Sequence, residues 1–380
     1  MIFFDKQKEK TVLIFDIGNG SVGVALAVLS KNERPKIITT LSELILFEEK
    51  PDAEKLQQMI LKKLDQVTPL VITKGFNDQY FKNRSKKIKK VFCILSSPWY
   101  NSKGKTIVLS KEKKFIITNR FLEDILSKEL KVFENEVGQS DENAGKKTTH
   151  LIESNFMATK VNGYVLENPI GQKTNNFETS IYISEAEGDF VNKISNMISK
   201  YSHINEGNII FHSFPQVAFS TIRDIFPTIS EYLYFDIAGE ITDVAYVSGE
   251  MIRKMVSFPS GKNLITRRIA KCLRVPNEVA RSFFNLYINK HIDIKTEGRI
   301  IEAIAEAEKE WNIYLNDALM SISADFFPKS PLTSGSIVES GIGVVLPREL
   351  GPSFPKNIFI TAYPQTYEMF SSFIKIEKND

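Results

Sequence analysis

The stretch Thr11-Val12-Leu13-Ile14-Phe15-Asp16-Ile17-Gly18-Asn19-Gly20-Ser21, followed by the apolar run Val22 to Leu29, decides how the whole chain is read. Thr11 to Asp16 is the composition of a buried strand, the glycine-rich segment after it is a turn, and Val22 to Leu29 again reads as a strand. Together they predict a hairpin with an aspartate at the end of its first strand. The pattern recurs far along the chain. Phe235-Asp236-Ile237 ends another buried strand, Glu231 to Asp236, and a short turn leads into Thr242-Asp243-Val244-Ala245-Tyr246-Val247. Two strand-Asp-turn-strand units at comparable places in one chain indicate an internal duplication.

Two chemistries compete for the first unit. Gly18 to Gly23 fits the G-x-G-x-x-G dinucleotide fingerprint. That reading needs a helix directly after the turn, with its N-terminus facing pyrophosphate. Val22 to Leu29 reads as a strand instead, and Asp16 would repel an anion in a metal-free site. The other chemistry is a phosphate clasp, in which backbone N–H groups of the turn approach phosphates and the strand-end aspartate orients metal-bound water. Glycine suits such a turn because a Cβ would block the close approach. Either hairpin alone is equally an ordinary turn with an aspartate in it. The pair favours the clasp.

Bulk properties bound the rest. At 380 residues, two or more subdomains are expected, and 42% apolar with 25% charged residues is ordinary for a folded chain. A formal charge of +3 does not suggest an electrostatic nucleic-acid binder. The basic cluster Lys82, Arg84, Lys86, Lys87, Lys89 and Lys90 reads as a solvated loop, with a patch facing anionic lipid as the alternative. Cys93 and Cys272 lack metal-ligand spacing, and the four histidines form no zinc-type pair. No run approaches the roughly 18 apolar residues of a spanning helix, and the start lacks a signal-peptide core. A cytoplasmic protein is the expectation. Helical spacing is clearest at Ile300, Ile304, Ala307, Trp311, Leu315 and Leu319, and also predicts helices at 56–64 and 122–133.

With these residues in view the chain resembles the actin-like superfamily, and within it the FtsA family of division proteins, with the PilM pilus-assembly proteins close behind. Asp16-Ile17-Gly18-Asn19-Gly20-Ser21 is similar to the first phosphate loop of that superfamily. Phe235-Asp236-Ile237-Ala238-Gly239-Glu240-Ile241-Thr242-Asp243 resembles the second. Tyr164 to Gly171, with Asn168-Pro169-Ile170-Gly171, is similar to a signature of the subdomain inserted in FtsA, and Pro259 to Ala270 to the segment where a Gly turn precedes a helix.

The resemblance implies an α/β, duplicated actin-like (ribonuclease-H-like) fold of two lobes, with an FtsA-type α+β subdomain inserted in the first. The implied boundaries are 10–90 and 205–230 for the first lobe, 91–204 for the insert and 231–380 for the second lobe, with 261–325 a helical subdomain. It implies nucleotide-binding positions at Asp16, Gly18, Asn19, Gly20, Ser21, Asp236, Gly239, Thr242, Asp243 and Gly261. Asp16 and Asp236 would address Mg²⁺ through water. The implied cofactors are ATP and Mg²⁺, and the implied role is a self-associating scaffold at the inner face of the membrane. Its partners would be a tubulin-like division GTPase or, in the PilM alternative, a pilus inner-membrane protein.

Departures from the pattern point to a degenerate nucleotide site with weak or absent ATPase activity. Ala238, Glu240 and Ile241 replace family glycines and a threonine, and Glu240 puts a carboxylate near the expected phosphates. Ala280-Arg281 stands where the family has an acid for the ribose, and Ala362-Tyr363-Pro364 where it has a Gly-Gly beside adenine. A phosphotransferase of the same fold is the enzyme-class alternative; it needs a general base and an intact grip on ATP.

Overall fold

The structure is a computed structural model describing residues 9–31, 33–45, 53–139, 148–249, 251–326 and 355–374. The described residues fall into two compact units, which divide between Ile225 and Phe226.

In the first unit, β1 (Lys10–Ile17) pairs antiparallel with β2 (Ser21–Leu29), and β2 with β3 (Lys36–Leu44). Helix α1 (Ala53–Phe76) then carries the chain back to β4 (Ile88–Leu95), which runs parallel to β1. Leu56, Ile60 and Leu64 are buried on α1, as their spacing predicts. Because β1 is central and covered on both faces, its apolar run is nearly unbroken: Val12, Leu13, Phe15 and Ile17 are all at most 1% exposed. Each such side chain contributes about 1.5–3 kcal/mol by leaving water.

A second, antiparallel sheet follows β4. It is built from β5 (Asn101–Ile116), β6 (Thr149–Val161), β7 (Tyr164–Val165) and β8 (Lys173–Glu187) in the order β5-β8-β6-β7. Helix α2 (Asn119–Gln139) lies between β5 and β6 in sequence, and its Leu130 and Phe133 pack with Ile107, Phe156, Ile181 and Ile183 of the strands. After α3 (Gly188–Ser202), strand β9 (Ile209–Ser213) returns to the first sheet parallel to β4, and α4 (Phe214–Ile225) ends the unit. The first sheet has the order β3-β2-β1-β4-β9. The expected insert boundary at residue 91 thus falls inside β4. That strand is committed to the first sheet by its pairing with β1, and the separate sheet begins at Asn101.

The second unit repeats the scheme. Strands β10 (Glu231–Ile237), β11 (Thr242–Ser248) and β12 (Ile252–Phe258) form an antiparallel meander. Helices α5 (Lys262–Leu273), α6 (Asn277–Ile288) and α7 (Ile294–Phe326) lead to β13 (Ile358–Ala362), which pairs parallel with β10. Helix α8 (Tyr367–Phe373) follows. The order β12-β11-β10-β13 matches β3-β2-β1-β4 strand for strand and direction for direction. Trp311 of α7 is fully buried among Phe258, Phe370 and Phe373. Among the described residues no helix is long and apolar enough to cross a membrane.

Candidate functional site

Each unit presents one hairpin at the C-terminal end of its central strand, and the registers are equivalent. In the first, Asp16 faces Gly23, Ile17 faces Val22, and the Gly18 N–H closes on Ser21 O at 3.1 Å. In the second, Asp236 faces Asp243, Ile237 faces Thr242, and the Ala238 N–H closes on Ile241 O at 3.0 Å. Position for position, Glu240 therefore stands where the first hairpin has Gly20. A strand, not a helix, follows Gly20, so the dinucleotide reading of Gly18 to Gly23 fails on geometry.

The first hairpin is tied down by its carbonyls and by Asn19. Ser96 N–H donates to Ile17 O at 3.0 Å, Trp99 Nε1 to Gly18 O at 3.1 Å and Ile45 N–H to Gly20 O at 3.0 Å. Asn19 is fully buried and its Nδ2 donates to Ser97 O at 2.6 Å, so the side chain expected at a ligand is used to fix the turn. Trp99 in turn packs on Phe190 of α3, with ring centroids 5.0 Å apart. Asp16 is open to water at the strand end, yet the protein around it desolvates its carboxyl and raises its pKa above the ordinary value. Between Ile17 and Val22 the turn carries no charged side chain.

The second hairpin is built differently. Its carbonyls are docked on the start of α5: the N–H groups of Lys262 and Asn263 donate to Ala238 O at 3.0 Å and Gly239 O at 2.9 Å. These are among the amides that a helix N-terminus otherwise offers to an anion. Gly261 permits the approach, since a Cβ there would lie 2.5 Å from Ala238 O and 2.6 Å from Gly239 O. Glu240 is only 8% exposed. Arg267 Nη1 donates to both of its carboxylate oxygens, at 2.9 and 2.8 Å, and Asn263 Nδ2 to Oε1 at 2.8 Å. Asn263 and Arg267 are one helical turn apart on α5, the spacing that lets both reach one carboxylate.

The remaining predicted positions are held internally as well. Asp236 accepts from Thr361 Oγ1 at 2.7 Å. Thr242 is fully buried; its hydroxyl donates to Ser260 O at 2.6 Å and accepts from Trp311 Nε1 at 3.2 Å. Asp243 is buried beside it in β11. Past the end of β13, the Tyr363 ring lies under Lys262 Nζ, 3.0 Å from its centroid. Burial, then Arg281, lowers the Lys262 pKa to about 7, although the ring face favours the cation. Among the described residues no group of three His, Cys, Asp or Glu side chains is placed to hold a metal.

The two hairpins therefore fit a phosphate unequally. The first, with Gly18, Asn19, Gly20 and Ser21, sets only backbone and small polar groups at the turn. The second carries an anion of its own, already neutralised by Arg267 and Asn263, at the place of Gly20. The second turn, taken by itself, does not fit a phosphate with the residues present.

The repeated strand order with a hairpin at each central strand defines the duplicated actin-like fold, α/β in class. Among solved structures, the chain is similar to the "PilM-PilN type IV pilus biogenesis complex", with a TM-score of 0.52 and 14% identity over 84% of this chain and 79% of that one. Lower similarity is found to the ethanolamine utilization protein EutJ from Carboxydothermus hydrogenoformans, with a TM-score of 0.45 and 10% identity over 97% of this chain and 83% of that one. A Bacteroides thetaiotaomicron protein with an actin-like ATPase fold and unknown function matches with a TM-score of 0.32 and 14% identity over 73% and 81%. No family model and no curated protein matches the chain.

Sequence reasoning identified Glu240 as a misfit and missed its partners, although Asn263 and Arg267 stand four residues apart in a predicted helix. The Ser97 and Trp99 contacts to the first hairpin had no local signal, being 78 and 81 residues away from their partners.

Proposed function

We propose that this chain is a protein-binding scaffold on the actin-like fold, of the pilus-assembly kind represented by PilM rather than the division kind represented by FtsA, and that it runs no ATP hydrolysis cycle. The observation that carries the second half of this reading is the Glu240 carboxylate held by Arg267 and Asn263 in the second hairpin. Glu240 occupies the turn with a carboxylate of its own and engages Arg267 and Asn263, the groups that could otherwise meet a phosphate there, so a phosphate would have to displace it from them. The pilus half is supported by the similarity in fold over most of the chain to the PilM component of a pilus complex. By that likeness, the partner is a PilN-type pilus protein.

Isothermal titration with ATP and Mg²⁺ tests the nucleotide half: no heat of binding is expected up to about 1 mM, and a low-micromolar Kd would overturn it. A pull-down with the immobilised chain tests the partner. Retention of a PilN-type protein is the expected result. Retention of a tubulin-like division GTPase in its place would give the chain the division role.

A further inference from the structure

The end of the first sheet opposite the Gly18 to Ser21 hairpin gathers basic side chains from separate segments of the chain. Parallel pairing of β1 with β4 sets Thr11 beside Ile88, and antiparallel pairing through β2 brings Lys36 to the same end. The loop before β4 contributes Lys82, Arg84, Lys86 and Lys87, and the approach to β3 contributes Arg34 and Lys36, all six exposed. Tyr80 joins the two groups: Lys36 Nζ lies 4.3 Å and the Arg84 guanidinium 4.2 Å from its ring centroid. The local acids are partly committed. Glu9 is ion-paired with Arg84, which with the Tyr80 hydroxyl outweighs the opposing effect of burial and holds its pKa below the usual carboxylate range, and Asp78 accepts from Tyr80 N–H at 2.8 Å.

A lone run of lysines is usually only a solvated loop. Convergence of two such segments, tied through one tyrosine, is more than a run requires. We propose that this end of the first unit is a docking surface for an anionic lipid bilayer. Diffuse positive charge is all that such a surface needs. A protein partner would call for a central aromatic or aliphatic anchor in a pocket. A nucleic acid would call for a basic helix face or an open ring for base stacking. Here the six groups sit on loops and a strand start, and the Tyr80 ring is already engaged by Lys36 and Arg84.

Co-sedimentation of the full chain with vesicles of phosphatidylcholine, alone or mixed with phosphatidylglycerol, tests this reading. Binding is expected to the mixed vesicles only and to weaken as salt is raised. The triple variant Lys82→Glu, Lys86→Glu, Lys87→Glu should bind at least about 100-fold more weakly, at roughly fivefold or more per charge lost. A charge-matched control, Lys128→Glu and Lys131→Glu on exposed positions of α2 with Lys309→Glu on an exposed position of α7, should bind like the parent, and unchanged melting of both variants confirms that they fold. Equal binding by parent and triple variant, no binding to the anionic vesicles, or tighter binding to single-stranded RNA than to vesicles would each overturn the proposal. None of these outcomes bears on ATP or on the pilus partner.

Discussion

The carboxamide of Asn19 and the carbonyl of Ser97, 78 residues apart, meet at 2.6 Å in a site that water does not reach. The residue that best matches a ligand-binding turn in sequence thus serves to hold that turn against the segment leaving β4. Replacing Asn19 with Ala removes the buried donor that meets the Ser97 carbonyl. A loss of about 1–3 kcal/mol is expected, read as a shift in the urea midpoint. Asn19→Asp should cost more, because a carboxylate would then face a carbonyl oxygen.

Gly261→Ala addresses the docking of the second hairpin. The backbone at Gly261 is extended, with φ −139°, so any residue could adopt it, and the added methyl alone is under test. With backbone oxygens at 2.5 and 2.6 Å from the new Cβ, either the hairpin or α5 must shift. A destabilisation of about 1–3 kcal/mol is expected. Hydrogen exchange should rise at Lys262 and Asn263, whose amides hold the hairpin carbonyls.

Lys262 should make stability depend on pH in the alkaline range. Burial and Arg281 lower its folded pKa from 10.5 to about 7, so between these values the unfolded chain binds the extra proton. Stability therefore rises with pH across that window and is least favoured by this group below it. Comparing urea midpoints at about pH 7 and about pH 9, the parent should gain relative to Lys262→Met. Parallel pH profiles for the two proteins would show that Lys262 keeps its proton.

The inserted sheet should be unlatched from the first sheet by Glu153→Ala. Glu153 of β6 is 5% exposed and accepts from Ser184 Oγ at 2.8 Å, Ser213 Oγ at 2.6 Å and His212 Nδ1 at 2.9 Å. Removing it leaves the buried Ser184 and Ser213 hydroxyls and the half-buried His212 ring without their common acceptor, at about 2–4 kcal/mol. Faster amide exchange in β6 and β9 is expected, with the β1–β2 hairpin unaffected. Glu153→Gln, which retains an acceptor, should lose less.

What could be read from the sequence was what repeats or alternates locally. The runs around Asp16 and Asp236 declare central strands because a strand covered on both faces must be apolar at nearly every position. Helix α7 declares itself because Ile300, Ala307, Trp311, Leu315 and Leu319 share one buried stripe. The boundary at residue 91 could not be drawn correctly, since pairing between β1 and β4 leaves no local mark. The fate of Glu240 was half legible. Its sequence position announces a carboxylate in a phosphate-type turn, while its neutralisation depends on a helix that begins 22 residues later. Contacts such as Asn19 to Ser97 depend wholly on tertiary placement and have no sequence period to reveal them.

The two tryptophans of the chain are distributed one to each unit, and each indole N–H is bound to its own unit's hairpin: Trp99 to Gly18 O, Trp311 to Thr242 Oγ1. The molecule thus carries a built-in fluorophore for each half. With Trp99→Phe or Trp311→Phe in place, emission from the remaining indole follows the opening of one hairpin alone, so the two halves can be watched unfolding together or in turn without an added label.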